Sequence, residues 1–258
     1  MLLVIDVGNS NTVLGLYRDD VLQGHWRVGT NNYRTGDELR ILYTMLLRAE
    51  GVEPAAITGC CISSVVPQLN MALQDVSAAA FGVAPLMVGP GVKTGLQLQC
   101  DNPKEVGADR IVNAVGAIED HEGALIIVDF GTALTFDAVS AKAEWCGGAI
   151  VPGVQLSAEA LFEHCAKLPR VEISKPPSVI GRDTVTNIRS GLTYGYADLV
   201  DGLVRRFAAE MGGSPKVIAT GGIAPLMADV CTSIDVVDPY LTLKGLKAVY
   251  ERNHRPGA

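Results

Sequence analysis

VDFGTALTFD, residues 128–137, restates a pattern already present in IDVGNSNT, residues 5–12. In both, an Asp closes an apolar run, a Gly follows two residues on, and a Thr comes four residues after that. The first set is Asp6, Gly8 and Thr12; the second, 123 residues later, is Asp129, Gly131 and Thr135. An Asp at the end of a strand points its carboxylate into the crevice beyond the sheet. The Gly is expected to give the turn positive φ and let a ligand approach closely. Backbone N–H groups in such a turn can hold phosphate oxygens, helped by the hydroxyls of Ser10, Thr12, Thr132 and Thr135. Either turn alone reads better as an ordinary hairpin corner with Asp and Asn in their usual places. Two matched copies, each after a buried strand, favour the ligand reading. A strand rather than a helix follows each turn, so neither is a Walker loop.

The sequence around each turn repeats as well. Leu2 to Ile5 is a near-continuous apolar strand, and TVLGLY and GHWRV follow as two short strands broken by RDD. TGDELRILYTMLLRAEG has Leu39, Leu42, Tyr43 and Leu46 on one helical face and Gly51 at the stop position. AAITGCCISSVV predicts a strand, a helix begins near Pro67, and APLMVG predicts a short strand. In DNPKEVGADRIVNAVGAIED, Asn102 suits an N-cap, Pro103 the first helical position and Glu105 a capping box. The second half then gives ALIIVD, the turn, LTFDAVS and EWCGGAIV as strands, and helices over 153–166 and 184–210. A strand KVIAT, a Gly221-Gly222 turn, a helix after it and a terminal helix over 242–252 complete the chain, with residues 253–258 expected to fray. The expectation is a duplicated α/β unit, with domains at 1–115 and 116–258 and the two turns facing each other across a cleft.

Composition narrows the function. Of 258 residues, 48% are hydrophobic and 19% charged, enough for a substantial core and unlike a disordered chain. A net charge of −7, with Arg205-Arg206 the densest basic group, argues against nucleic acid as a partner. No apolar stretch reaches the length of a membrane span, and the opening residues lack a secretory pattern, so a cytoplasmic protein is expected. Cysteines 60, 61, 100, 146, 165 and 231 form no CxxC pair and the four histidines no HExxH, which leaves reduced, mostly buried thiols.

The two turns, with the late TGG element positioned for a nucleotide's adenosine side, resemble the acetate kinase, sugar kinase, Hsp70 and actin superfamily. That resemblance implies duplicated ribonuclease H-like (actin-like ATPase) domains, with mixed sheets flanked by helices. Within the superfamily, DVGNSNT, DNPKEVGADRIVN, DFGTALTFD, GGAIVPG, SGLTYGY and LTLKGL together resemble type III pantothenate kinase, from Asp6 to about Tyr250. NPKEVGADR is the most discriminating piece.

The resemblance implies ATP-dependent phosphorylation of pantothenate to 4'-phosphopantothenate, the first step of coenzyme A biosynthesis. It implies that Asp6, Val7, Gly8, Asn9, Ser10, Asn11, Thr12 and Val13 cradle the ATP phosphates, with Thr132 assisting. Asp6 would meet magnesium, through water. Asp129 would hold a monovalent cation, potassium or ammonium. Asp109 would accept or orient the hydroxyl proton, with Gly107, Ala108 and Arg110 also at the substrate. The residues themselves agree, since an Asp beside a Gly inside a helix that otherwise buries its apolar face calls for a reason. Asp109 and Arg110 as plain surface charges at a helix start is the alternative. Thr184 matches a position that contacts pantothenate from a neighbouring subunit, which implies a homodimer; a helix N-cap role is compatible with that. The family pattern has Tyr just before the DNP segment, where this chain has Cys100, and Ser10 stands where Thr is frequent. Another small-alcohol or sugar kinase, a polyphosphate hydrolase and an accessory transcriptional regulator of the same family remain open at this point.

Overall fold

Leu2–Val7 forms β1, the central strand of the first of two sheets in the computed structural model, which describes residues 1–254. Next come β2 (Asn11–Arg18) and β3 (Val21–Gly29), paired antiparallel as a meander, and α1 (Gly36–Ala49). Thr35 closes a capping box with Glu38, and Gly51, at φ +71°, follows the end of α1. After β4 (Gly59–Ser64), parallel to β1, a 3₁₀ turn at Pro67–Leu69 leads into α2 (Asn70–Val76) and the two-residue β5 (Leu86–Met87). β6 (Gln97–Leu98) belongs to the second sheet.

The expected helix start at Asn102 is displaced. Pro103–Glu105 is a separate 3₁₀ turn, in which Asn102 Nδ2 donates to the Glu105 side chain rather than Asn102 capping backbone. Val106 is extended, and α3 (Ala108–Asp120) begins only after Gly107, whose carbonyl accepts from Ile111 N. The second half runs β7 (Leu125–Phe130), β8 (Ala133–Val139), β9 (Glu144–Pro152), α4 (Val154–His164), α5 (Thr184–Met211), β10 (Lys216–Gly221), α6 (Ala224–Ala228), β11 (Val236–Val237) and α7 (Leu241–His254).

The first sheet has the order β3-β2-β1-β4-β5, and the second has β9-β8-β7-β10-β11 with β6 added beside β9. Strand directions match as well: the first three strands of each unit are antiparallel, and the next two lie parallel to the first. The duplication read from the two turns is therefore a duplication of the whole sheet.

Two compact units result, and their composition in sequence differs from a single cut at 115. One comprises Met1–Leu96, Asp101–Glu119 and the described residues from Leu241 onward; the other comprises Gln97–Cys100 and Asp120–Tyr240. In the first unit, Leu3, Ile5, Val7, Leu14 and Leu16 pack one sheet face against Leu39, Tyr43 and Leu47 of α1 and Leu73 and Val76 of α2. α7 lies against β1 and β4, so close that a Cβ on Gly15 would stand 2.9 Å from a Leu243 methyl. α3 and α7 touch backbone to backbone, where a Cβ on Gly245 would stand 1.9 Å from Val112 O. Beside that crossing, Thr242 Oγ1 donates to buried Asn113 Oδ1 at 2.7 Å. In the second unit, Ile126, Val128, Phe130, Leu134 and Phe136 pack against Ala197, Val200 and Val204 of α5 and Met227 of α6.

No helix among the described residues is long and apolar enough to cross a membrane. Of the segment expected to fray, Asn253 and His254 are helical, and residues 255–258 lie outside the described residues.

Candidate active site

Asp6 is the fifth residue of β1, and its partners in register are Val13 on β2 and Ser63 on β4. Paired residues on adjacent strands point to the same face, so the Asp6 carboxylate and the fully buried Ser63 hydroxyl share one side of the sheet. The hairpin closes with Val7 opposite Thr12, leaving residues 8–11 as the loop, where Gly8 N donates to Asn11 O at 3.0 Å. Asn9, Ser10 and Asn11 are exposed and Thr12 is buried. This turn can therefore offer backbone N–H and polar side chains to an anion while its base stays anchored in the core.

The second turn is not the same turn. Phe130 pairs with Leu134, so its loop is residues 131–133, one residue shorter. In consequence Thr135 does not match Thr12. Thr12 sits opposite Val7 and shares a 2.9 Å hydrogen bond with Thr30 Oγ1, whereas Thr135 sits opposite Asp129. Its hydroxyl oxygen is buried with no hydrogen-bond partner among the described residues. Thr220 on β10 flanks Asp129 from the other side, as Ser63 flanks Asp6. Asp129 and two threonine hydroxyls thus line one face as hard oxygen donors.

Neither Gly8 nor Gly131 has positive φ, contrary to expectation. Space is what they supply: a Cβ would stand 3.1 Å from Asn11 O at Gly8 and 3.3 Å from Ala133 O at Gly131. Positive φ appears instead in the TGG element, at Gly221 (φ +97°), where a Cβ would stand 2.6 Å from Phe130 O and 2.7 Å from Asp129 Oδ1. Only glycine lets that turn lie against the Asp129 carboxylate. The helix after it, α6, is just five residues long.

Asp109 lies in the first turn of α3. Its Oδ1 accepts from Arg110 N at 2.8 Å and folds back over Gly107, where a Cβ would stand 2.4 Å from that oxygen. Burial pushes the Asp109 carboxyl above the usual carboxylate range, against the pull of the Arg110 amide and guanidinium. The same Gly107 position is 3.8 Å from a Val65 methyl, and Val65 N donates to Val7 O at 3.0 Å. The start of α3 therefore sits beside the strand end that carries the first turn. Gly107, Ala108, Asp109 and Arg110 form one half-buried group there.

Two further predicted site residues belong to the second unit. Cys100 follows β6 in the second unit as a half-buried free thiol. Thr184 opens α5 but does not cap it. The cap is Asp183, which accepts from Thr186 N at 2.9 Å, and Thr184 is left exposed beside a pocket lined by Leu161, Leu168, Ile188 and Leu192.

Two sheets of one strand order, each ending its first strand in an Asp–Gly hairpin, define an actin-like ATPase fold. Solved structures share it. A Campylobacter jejuni protein assigned to the Baf family of transcriptional activators has a TM-score of 0.63 at 18% identity, over 97% of this chain and 98% of that one. Component A of (R)-2-hydroxyglutaryl-CoA dehydratase from Acidaminococcus fermentans gives 0.56 at 14% identity, over 98% and 96%. At such identities the likeness shows the fold alone. Sequence resolves the family: the model of type III pantothenate kinase matches residues 2–206. A type III pantothenate kinase of Anaeromyxobacter sp. (strain Fw109-5) is 56% identical over 253 residues, 98% of this chain and 100% of that protein. The chain belongs to the type III pantothenate kinase family.

Proposed function

We propose that this protein transfers the γ-phosphoryl group of ATP to the primary alcohol of pantothenate, giving 4'-phosphopantothenate and ADP at the first step of coenzyme A biosynthesis. The observation that carries the chemistry is Asp109. Its carboxyl is pushed up by burial, is held at the start of α3 by Arg110 N, and lies over a glycine whose missing side chain leaves room for that carboxylate. A raised pKa brings a carboxylate closer to working pH, where general-base catalysis is most efficient. In the transfer, the bond from the γ-phosphorus to the ADP oxygen breaks, the pantothenate oxygen bonds to phosphorus, and its proton passes to Asp109. Arg110 meets the substrate's polar or anionic groups, beside Gly107 and Ala108.

Residues 6–13 bind the ATP phosphates and Thr132 assists. The exposed Asn9, Ser10 and Asn11 of the first turn support this. ATP arrives with a divalent ion, which neutralises phosphate charge; Asp6 meets it through water. Asp129 holds potassium or ammonium, a reading supported by the unpartnered buried hydroxyl of Thr135 opposite it. A homodimer completes the substrate site through Thr184. Leu161, which shares a pocket with that residue, and Phe162, Val179 and Ile180 are exposed apolar groups of the kind a second copy would cover. Cys100 borders pantothenate without the hydroxyl of the family's Tyr. The protein works in the cytoplasm, on small molecules, with neither nucleic acid nor membrane as partner.

A coupled assay of ADP release with ATP and magnesium tests this against a panel of alcohols. Turnover on pantothenate that rises with potassium or ammonium is expected. Turnover on sugars with none on pantothenate would overturn it.

A further inference from the structure

GGAIVPG and SGLTYGY mark the family, yet the reading above gives neither a task. The structure places both beside the second turn. β9 ends at Pro152, and the next residue, Gly153, donates its N–H to Thr132 O at 3.0 Å. No side chain fits there, since a Cβ on Gly153 would stand 2.3 Å from Thr132 O and 2.5 Å from Gly131 O. Tyr196, on α5, donates its hydroxyl to Pro152 O at 2.9 Å and shares a 2.5 Å hydrogen bond with Ser157 Oγ on α4. Tyr196 has one hydroxyl proton, so with that proton given to Pro152 O, Ser157 is the donor in the second bond. The corner on which the turn rests is thereby tied to two helices.

The first unit repeats the device with other residues. β3 ends at Gly29, and the next residue, Thr30, donates its N–H to Ser10 O at 3.0 Å. Its hydroxyl shares a 2.9 Å hydrogen bond with Thr12 Oγ1. β3 and β9 hold the same place in their sheets, and Ser10 and Thr132 both lie in the loop of their hairpin. The two backbone bonds by themselves merely extend an antiparallel ladder. What goes further is the side-chain hydroxyl added in each unit, one to the turn's own threonine and one to the corner beneath the turn.

We propose that Thr30 and Tyr196 are positioning residues for the nucleotide, each fixing its phosphate turn through the residue that leaves the third strand. This rests on the reading of residues 6–13 and Thr132 as phosphate contacts. Without the Thr30 hydroxyl, Thr12 loses the partner that sets its rotamer. Without the Tyr196 hydroxyl, Pro152 O passes to water and the Gly153 corner loosens.

Thr30→Val and Tyr196→Phe keep side-chain shape and remove only the hydroxyl. Affinity for the magnesium complex of a non-hydrolysable ATP analogue, measured by calorimetry on the full chain, is expected to fall about threefold to tenfold in each, the range of one lost hydrogen bond. The KM for pantothenate should hold, and Thr30→Ser should bind within about twofold of the parent, since it restores the bond. Unchanged nucleotide affinity in both variants would overturn the proposal. So would an equal loss for both substrates together with a lowered melting midpoint, the mark of general loosening. A parent protein that binds no nucleotide would instead refute the phosphate reading beneath it. Should Tyr196→Phe fail to fold, Thr30→Val with its serine rescue decides alone.

Discussion

Gly107→Ala isolates the position of the proposed base without altering its chemistry. The backbone at Gly107 is not in the left-handed region, so alanine meets no φ penalty there. Its Cβ would nevertheless stand 2.4 Å from Asp109 Oδ1, against an ordinary contact of about 3.4 Å, and 3.8 Å from the Val65 methyl. The carboxylate is the mobile partner, and it must swing by about 1 Å, a displacement that can cost ~10²-fold in rate. Folding should suffer modestly. Gly107 accepts the first bond of α3 at an N-cap position, where alanine is worse than glycine by about 1 kcal/mol, or a melting midpoint lower by roughly 2–4 °C. In the ADP-release assay kcat should therefore fall about 100-fold with the KM for ATP unchanged. The double variant Gly107→Ala/Asp109→Asn should be no slower than Asp109→Asn alone, because both changes act through one carboxylate. Parental kcat in Gly107→Ala, or losses that multiply in the double variant, would refute the reasoning.

Four further outcomes follow from the same structure. Because burial raises the Asp109 pKa, the acid limb of kcat/KM should lie above the ordinary carboxylate value of about 3.9, and a limb at or below that value would contradict it. The sign also bears on stability: between the unfolded and folded pKa values the native state binds more protons, so stability falls as pH rises through that window. Asp109→Asn should then melt no lower than the parent at neutral pH, despite its lost activity. Gly245→Ala would place a Cβ 1.9 Å from Val112 O and force α3 from α7, costing about 1–3 kcal/mol and lowering the melting midpoint by roughly 3–10 °C; an unchanged midpoint would show that the crossing yields. At Asp201, burial would raise the carboxyl, but hydrogen bonds from Ser233 and Thr232 outweigh it and hold the pKa below the usual range. Its contribution is present above the unfolded pKa and lost as pH falls through the folded one, so the midpoint gap between parent and Asp201→Asn should close in acid; a gap constant with pH would exclude this.

The parts of the fold visible in the sequence are those set by local pattern. The apolar run before Asp6, the helical face of Leu39 and Tyr43, the stop at Gly51 and the repeat at Asp129 each depend on neighbours a few residues away. What stayed hidden depends on partners far along the chain. Asn102 to Glu105 carries every mark of a helix start, yet Val106 extends and the helix waits for Gly107. A one-residue difference in hairpin loops moved Thr135 opposite Asp129, a register that spacing alone could not resolve. The return of α7 to the first unit rests on Gly15 and Gly116 meeting it and on its own Gly245, and those glycines look like any others in the sequence. Of the proposed site, Asp109 was legible through its motif. Thr30 was not, for its one signal is a hydroxyl that meets Thr12 from 18 residues away.

Phosphoryl transfer from labelled ATP to pantothenate, run side by side for the parent protein and for Asp109→Asn, tests the central claim most directly. The account predicts labelled 4'-phosphopantothenate from the parent and at least about a 100-fold slower rate from the variant, as expected when a general base is removed, with nucleotide still bound. Equal rates from the two proteins, or a parent that binds ATP and leaves pantothenate unlabelled, would contradict it.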